Sequence, residues 1–503
     1  MNIPRSCGVI LHPLSLSGPW LCGTMGEEAH AFVDFCAEAG IGWWQVLPLG
    51  PTAYGDSPYQ SPSAFAGNPY LIDPRPLIAQ GLLTHNETES YRMNSSAATT
   101  ERIDYAGLFA INTELMDTAW GRFKTNDRQQ IQTDFGQFCA TNAVWLDDYA
   151  LFAAIKETEH YHAWNEWPQE LRFRKRSALS RFSLEHEDHI GRVKFSQFLF
   201  FSQWQALKDY AHAHGVKIIG DIPIFAAYDS ADVWAHPELF RLDHEGVPTH
   251  VAGVPPDYFT ATGQLWGNPL YNWPFHAKQN YTWWIERVRH SFRLVDALRI
   301  DHFRGFEAYW AVPAGEPTAE HGRWEKGPGY TLFNALKGAL GELPIIAEDL
   351  GFITPEVIDL RDGLGFPGMR ILQFAFEPEE DNPDYPHNYP QHCIAYTGTH
   401  DNDTSTGWLE SASPAARARA LAYTNGSPRS FCWDMIRTVW ASPACIAVAP
   451  AQDLLALGSE ARMNFPGRQN GYWTWRMREN ALSADIARRL RSLSETYFRV
   501  SGV

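Results

Sequence analysis

Four acidic residues each close or interrupt an apolar run: Asp221 in IIGDIP, Asp301 in LRIDHF, Glu348 in IIAEDLG and Asp401 in GTHDND. Arg299 stands two positions before Asp301, and His400 directly precedes Asp401. In a strand, residues two apart share a face, so Arg299 and Asp301 lie side by side while Leu298 and Ile300 point the other way. A single carboxylate at a strand end is ordinarily a cap or an ion-pair partner. Four of them, with an arginine and a histidine among them, make a reaction centre if the fold brings the ends of these runs together. Paired carboxylates suit glycosyl transfer, whose oxocarbenium-like transition state needs an anion near the anomeric carbon and a protonated acid near the leaving oxygen. Asp301, beside a cation, is expected to stay ionised and act as nucleophile. Glu348 follows Ile345, Ile346 and Ala347; burial there is expected to keep it protonated as the acid. Asp401 is placed to grip sugar hydroxyls. A divalent metal is the competing use of these acids, but only His400 offers a nitrogen, and no G-x-x-x-x-G-K or glycine-rich turn into a helix supplies a phosphate site.

The elements that must position these groups read as strands alternating with helices. Apolar runs at residues 7–16 and 43–49 flank a segment in which Phe32, Phe35, Cys36 and Ala39 recur at helical spacing up to Gly40. Further runs lie at 216–225, 296–301, 344–349, 369–376, around 393–403 and at 444–450. Helical spacing marks Phe200, Trp204, Leu207 and Ala211 before Gly215, the segments 281–294 and 330–340, and Trp433, Ile436 and Val439. Eight strands, each followed by a helix or an insertion, predict an α/β fold: one (β/α)8 TIM barrel over residues 1–503. Long insertions are expected at about 50–215, between strands 2 and 3, at about 226–279 after strand 3, and at about 306–329 after strand 4. A doubly wound sheet is disfavoured because no G-x-G-x-x-G follows the first strand.

Charge narrows the partners. With 41 basic against 58 acidic residues the net charge is -17, which disfavours nucleic acid and anionic membranes. A neutral, polyhydroxylated ligand fits better, and 20 Trp with 20 Tyr supply rings for stacking as well as for the core. Seven scattered cysteines, never spaced C-x-x-C, argue against a disulfide framework or zinc and fit a reducing compartment. VILHPLSL near the start is interrupted by His12 and Pro13 with only Arg5 as a basic leader, so it reads as a strand and not as a signal peptide. No run approaches the roughly 18 apolar residues of a membrane span. A soluble, cytoplasmic protein is expected.

The motifs ALRIDHFRG, PIIAEDLG and GTHDNDT, with YGDSPYQSPSAFAGNPY, GDIPIF, RMNFPG and YWTWR, resemble in order those of the 4-alpha-glucanotransferases called amylomaltase or disproportionating enzyme. This is family 77 of the glycoside hydrolases, related to the alpha-amylases. The resemblance covers the chain from about Cys7 onward. It implies retaining transfer of an α-1,4-glucan segment to glucose or a maltooligosaccharide, without metal or organic cofactor. Asp301 matches the family nucleophile, Glu348 the acid/base and Asp401 the transition-state stabiliser. Arg299, His400 and Asp221 match residues that hold the sugar at the cleavage point. Tyr59 and Trp266 match aromatic positions of the glucan groove, and Asn464 a polar contact near the mouth. Two other readings stay open: an amylase-like retaining hydrolase with the same acids, and a non-catalytic glucan-binding protein, which has no need to hold a nucleophile and an acid together.

Overall fold

Strands buried on both faces read as continuous apolar runs, and the runs at the two ends of the chain obey this: Ser6–Ile10 and Ile446–Pro450 are buried at every position and pair in parallel. The computed structural model describes residues 4–53, 55–92, 101–125, 129–256, 260–377, 382–468 and 471–500. Tyr54 of the YGDSPYQ run and residues 257–259 of the second insertion lie outside the described residues. The strands among them are β1 (Ser6–Ile10), β2 (Trp43–Gln45), β3 (Lys217–Pro223), β4 (His250–Val254), β5 (Gln264–Pro269), β6 (Ala297–Asp301), β7 (Ala308–Pro313), β8 (Arg323–Lys326), β9 (Ile345–Ala347), β10 (Gly368–Ile371), β11 (Cys393–Tyr396) and β12 (Ile446–Pro450).

Eight of these form one parallel sheet in the order β10-β11-β12-β1-β2-β3-β6-β9. Its two edges meet. The Ala347 N–H donates to the Pro367 carbonyl at 3.0 Å, and the Asp349 carboxylate accepts from the Met369 N–H at 2.6 Å. The sheet thereby closes into a (β/α)8 barrel. Gly368 permits the seam, because a Cβ there would lie 2.5 Å from Asp349 Oδ2. Helices cover the outside with apolar stripes; Phe431–Ala441, for example, buries Phe431, Met435, Ile436, Val439 and Trp440 at helical spacing.

Between β2 and β3 the chain is helical, with Tyr105–Lys124, Gln129–Thr158, Arg176–Glu185 and Glu187–Ala213 as its longest helices. The last returns to the barrel through buried Phe200, Trp204, Leu207 and Ala211, as their spacing predicts. β4, β5, β7 and β8 form a separate antiparallel sheet in the order β5-β4-β7-β8. The eight strands expected from the sequence are the eight of the barrel; what is corrected is the reading of the turn-rich excursions, which among the described residues contain the four strands of this second sheet. β4, β5 and β7 carry Gly or Pro, and all four are stabilised by pairing with other segments, so local periodicity does not reveal them.

Candidate active site

β3, β6 and β9 are neighbours in the barrel, with Asp221 opposite Arg299, Pro223 opposite Asp301 and Ile300 opposite Ala347. That register brings Asp221, Arg299, Asp301 and the first residue beyond β9, Glu348, to the C-terminal side of the sheet. Asp401 arrives differently. β11 stops at Tyr396, and the acid sits in the following turn, where Asn402 Oδ1 accepts from the Thr399 N–H at 2.9 Å.

Arg299 organises the base of the site. It is 2% exposed and its guanidinium donates to Asp221 Oδ2 at 2.6 Å and to Asp301 Oδ1 at 2.9 Å. Tyr59 donates its hydroxyl proton to the same Asp221 oxygen at 2.8 Å and lies 2.9 Å from His400 Nε2. Since the Tyr59 proton is committed to Asp221, His400 donates from Nε2 to the phenolic oxygen, which assigns the Nε2–H tautomer. Burial lowers the His400 pKa, so the ring stays neutral in this role. His400 Nε2 also lies 3.3 Å from Asp401 Oδ2, and Asn464 donates to Asp401 Oδ1 at 2.7 Å. Glu348 accepts from the His302 N–H at 2.7 Å and from the Leu350 N–H at 2.9 Å.

Electrostatics couple these groups. Burial works against the Arg299 charge, but Asp221 and Asp301 raise its pKa well above the ordinary value. Burial lifts Glu348 to about 7, opposed by Arg299 and by its two backbone bonds. Burial also raises Asp301 well above the usual carboxylate range, with Glu348, Asp221 and Asp401 adding to it and Arg299 opposing. The expectation that Arg299 keeps Asp301 ionised is corrected to this extent: burial opposes the charged form, the guanidinium is shared with Asp221, and two further carboxyls, Glu348 and Asp401, also push Asp301 up. Burial thus biases both Asp301 and Glu348 toward the protonated form, and the Glu348 charge pushes Asp301 further that way, so the two titrations are linked.

A cleft of about 1420 Å³ opens over the site, lined by Tyr59, Trp266, Asp301, His400, Asp401 and Asn464, with Tyr105, Tyr149 and Tyr161 contributed by the helical insertion. Trp266 stands edge-on to His302, 4.8 Å between ring centres. All the acids and the arginine, histidine, tyrosine, tryptophan and asparagine singled out from sequence are therefore in one region. Three further residues were not singled out. His302 supplies a backbone donor to Glu348 from a left-handed backbone, φ 54°, a strained conformation that concentrates at functional sites. Trp473, also left-handed at φ 66°, packs 5.7 Å from Tyr59 and 5.8 Å from His400. Arg462 donates to the Asp401 carbonyl at 2.6 Å. The only hint in sequence was their presence in DHFRG, YWTWR and RMNFPG. Among the described residues no group of three or more His, Cys, Asp or Glu side chains has the arrangement of a metal site.

Comparison with known proteins agrees with this geometry. The family described as glycoside hydrolase family 77, 4-alpha-glucanotransferase, matches residues 11–482. The chain is 49% identical over 508 residues to a 4-alpha-glucanotransferase of Thermus thermophilus, covering 99% of this chain and 100% of that one. It is 40% identical over 502 residues to a chloroplastic/amyloplastic 4-alpha-glucanotransferase of Arabidopsis thaliana, covering 99% and 86%. Among solved structures, the amylomaltase of Streptococcus agalactiae in complex with acarbose superposes with a TM-score of 0.94 at 39% identity, covering 99% of this chain and 100% of that one. With its motifs, its barrel and its relatives in agreement along nearly the whole length, the chain belongs to the 4-alpha-glucanotransferase family.

Proposed function

We propose that this chain transfers a segment of an α-1,4-glucan to the 4-hydroxyl of glucose or of a maltooligosaccharide by retaining double displacement. The observation that carries the reading is the Arg299 bridge: one buried guanidinium bonded to both Asp221 and Asp301, beside a Glu348 lifted toward neutrality. Asp301 has the guanidinium at 2.9 Å and acts as the carboxylate; Glu348, bonded to the His302 and Leu350 N–H groups and pushed up to about 7, carries the proton.

Glu348 gives this proton to the bridging oxygen while an Asp301 oxygen bonds to the anomeric carbon. The old C–O bond breaks, the reducing-end fragment leaves with a new hydroxyl, and a glycosyl ester remains on Asp301. The acceptor's 4-hydroxyl then loses its proton to Glu348 as its oxygen displaces Asp301, forming a new α-1,4 bond. Asp401, held by Asn464, grips sugar hydroxyls and favours the distorted ring. Arg299, Asp221 and His400 position the sugar at the cleavage point, and Tyr59 and Trp266 line its groove. No metal or organic cofactor takes part. Transfer exceeds hydrolysis because the acceptor is held while water is kept from the ester. The unit is read as one catalytic barrel carrying the three insertions. A cytoplasmic location is supported by seven free thiols, and no helix among the described residues is long and apolar enough to cross a membrane.

Incubation with maltotriose alone tests this. Glucose together with a ladder of longer maltooligosaccharides is expected. Glucose and maltose only, with reducing ends rising steadily, would make the chain a hydrolase, and no reaction would make it a glucan-binding protein.

A further inference from the structure

The antiparallel sheet carries an exposed aromatic pair that the mechanism leaves unused. Trp324 in β8 is 37% exposed and Phe352, in the loop after β9, is 63% exposed. Their ring centres lie 6.2 Å apart and their planes within 18° of parallel. The pair is held in place from beneath. The Arg304 guanidinium stacks 3.8 Å from the centre of the Trp324 ring and 5.6 Å from that of Phe352. Its other bonds run to the Ala308 carbonyl at 3.3 Å and to the Phe352 carbonyl. Trp310, opposite Trp324 in the sheet, meets it edge-on at 5.2 Å. Gly351, at φ 79°, makes the left-handed turn that precedes Phe352. Phe352 leaves most of its ring, and Trp324 about a third, open to solvent, so the pair forgoes burial that stabilises aromatic residues elsewhere and offers a rigid apolar face that a ligand can cover.

Its position names the ligand. Arg304 follows Asp301 by three residues and Phe352 follows Glu348 by four, so both loops that carry the reacting acids also build the platform. Four residues of chain span at most about 14 Å, and the loop is tied back by the Leu350 N–H donating to Glu348 at 2.9 Å. The residues lining the main cleft include neither Trp324 nor Phe352. Glu348 protonates the oxygen of the leaving fragment in the reading above, so the side of the site on which its loop runs on to Phe352 is the side of that fragment and of the acceptor that replaces it. The apolar C–H face of a pyranose ring is the complement of such a surface.

We propose that Trp324 and Phe352 form an acceptor-side subsite that stacks the sugar rings of an α-1,4-glucan several units beyond the bond being made; this rests on the transferase reading above. Glucose as acceptor is too short to reach it, and a maltopentaose acceptor is long enough.

The test compares Trp324→Ala, Phe352→Ala and the double variant with the wild type, measuring transfer from one donor to labelled glucose and to labelled maltopentaose. The expected result is a fall in the ratio of kcat/KM for maltopentaose to that for glucose, by about two- to tenfold per ring removed. A ratio equal to that of the wild type overturns the subsite. So does a variant that abolishes dimerisation in sedimentation while the ratio stays put, since the pair then docks a second copy of the chain. A wild type that hydrolyses donor but transfers to neither acceptor removes the transferase reading itself, and the subsite with it.

Discussion

Replacing Glu348 by Gln tests the proton assignment most directly. Lifting this carboxyl from 4.5 to about 7 corresponds to roughly 3 kcal/mol in favour of the protonated form. At pH 7 about half the molecules then carry the acid, against about 0.3% for an unperturbed glutamate, a gain of about 150-fold in competent enzyme. For the wild type, kcat/KM for maltotriose is expected to fall tenfold per unit above about pH 7 as Glu348 loses its proton, with a separate acidic limb where Asp301, raised by burial, takes one up. The Gln variant keeps the shape, but its amide cannot accept from both the His302 and Leu350 N–H groups. It should lose about 10²- to 10⁴-fold in transfer from glucan and lose the alkaline limb altogether. With α-glucosyl fluoride, whose leaving group needs no proton, formation of the ester should be largely restored. Stability follows the same linkage with a defined sign. A folded-state pKa raised above the unfolded value contributes stability that is fully present below about pH 4.5 and lost as pH rises through about 7, and the Gln variant lacks this dependence. The assay is the pH profile of kcat/KM from pH 5 to 9 for both proteins, with thermal melts over the same range. An alkaline limb of the same midpoint in the Gln variant would refute the assignment, as would a wild-type alkaline limb well below pH 6.

Two further substitutions probe different parts of the structure. Trp266→Ala removes a ring that lines the cleft and packs edge-on to His302; water should reach the ester more often, and the ratio of new reducing ends to transfer products should rise, with an unchanged ratio counting against the shielding role. Gly368→Ala places a Cβ 2.5 Å from Asp349 Oδ2 and 2.8 Å from Arg361 Nη1 at the barrel seam, and should cost about 1 to 3 kcal/mol. A lowered urea midpoint with unchanged slope reads this out, and a wild-type midpoint would show that the seam yields without strain.

Much of the molecule was legible in the chain itself. Apolar runs alternating with helical stripes announce a parallel sheet, because a strand buried on both faces and a helix buried on one leave different periods in the sequence. Asp221, Asp301 and Glu348 could be grouped because a barrel brings the ends of its strands to one rim, and Arg299 could be set beside Asp301 by the period of two. Tyr59 and Asn464 lie in loops without a period and Trp266 in β5, a strand read from sequence as part of an excursion; the sequence offered only their motifs, and their placement against Asp221, His302 and Asp401 comes from contacts between distant segments. The same holds for the second sheet, whose Trp310 and Trp324 face each other across non-local pairing, and for the seam closed by Asp349. The titration of Asp301 is the clearest case. Its neighbour in sequence predicts a carboxylate held by one arginine, whereas its neighbours in space include Glu348, Asp221 and Asp401 as well. Local spacing determines which face a side chain takes; the charge it carries depends on burial and on every group the fold brings near, and those only the tertiary structure decides.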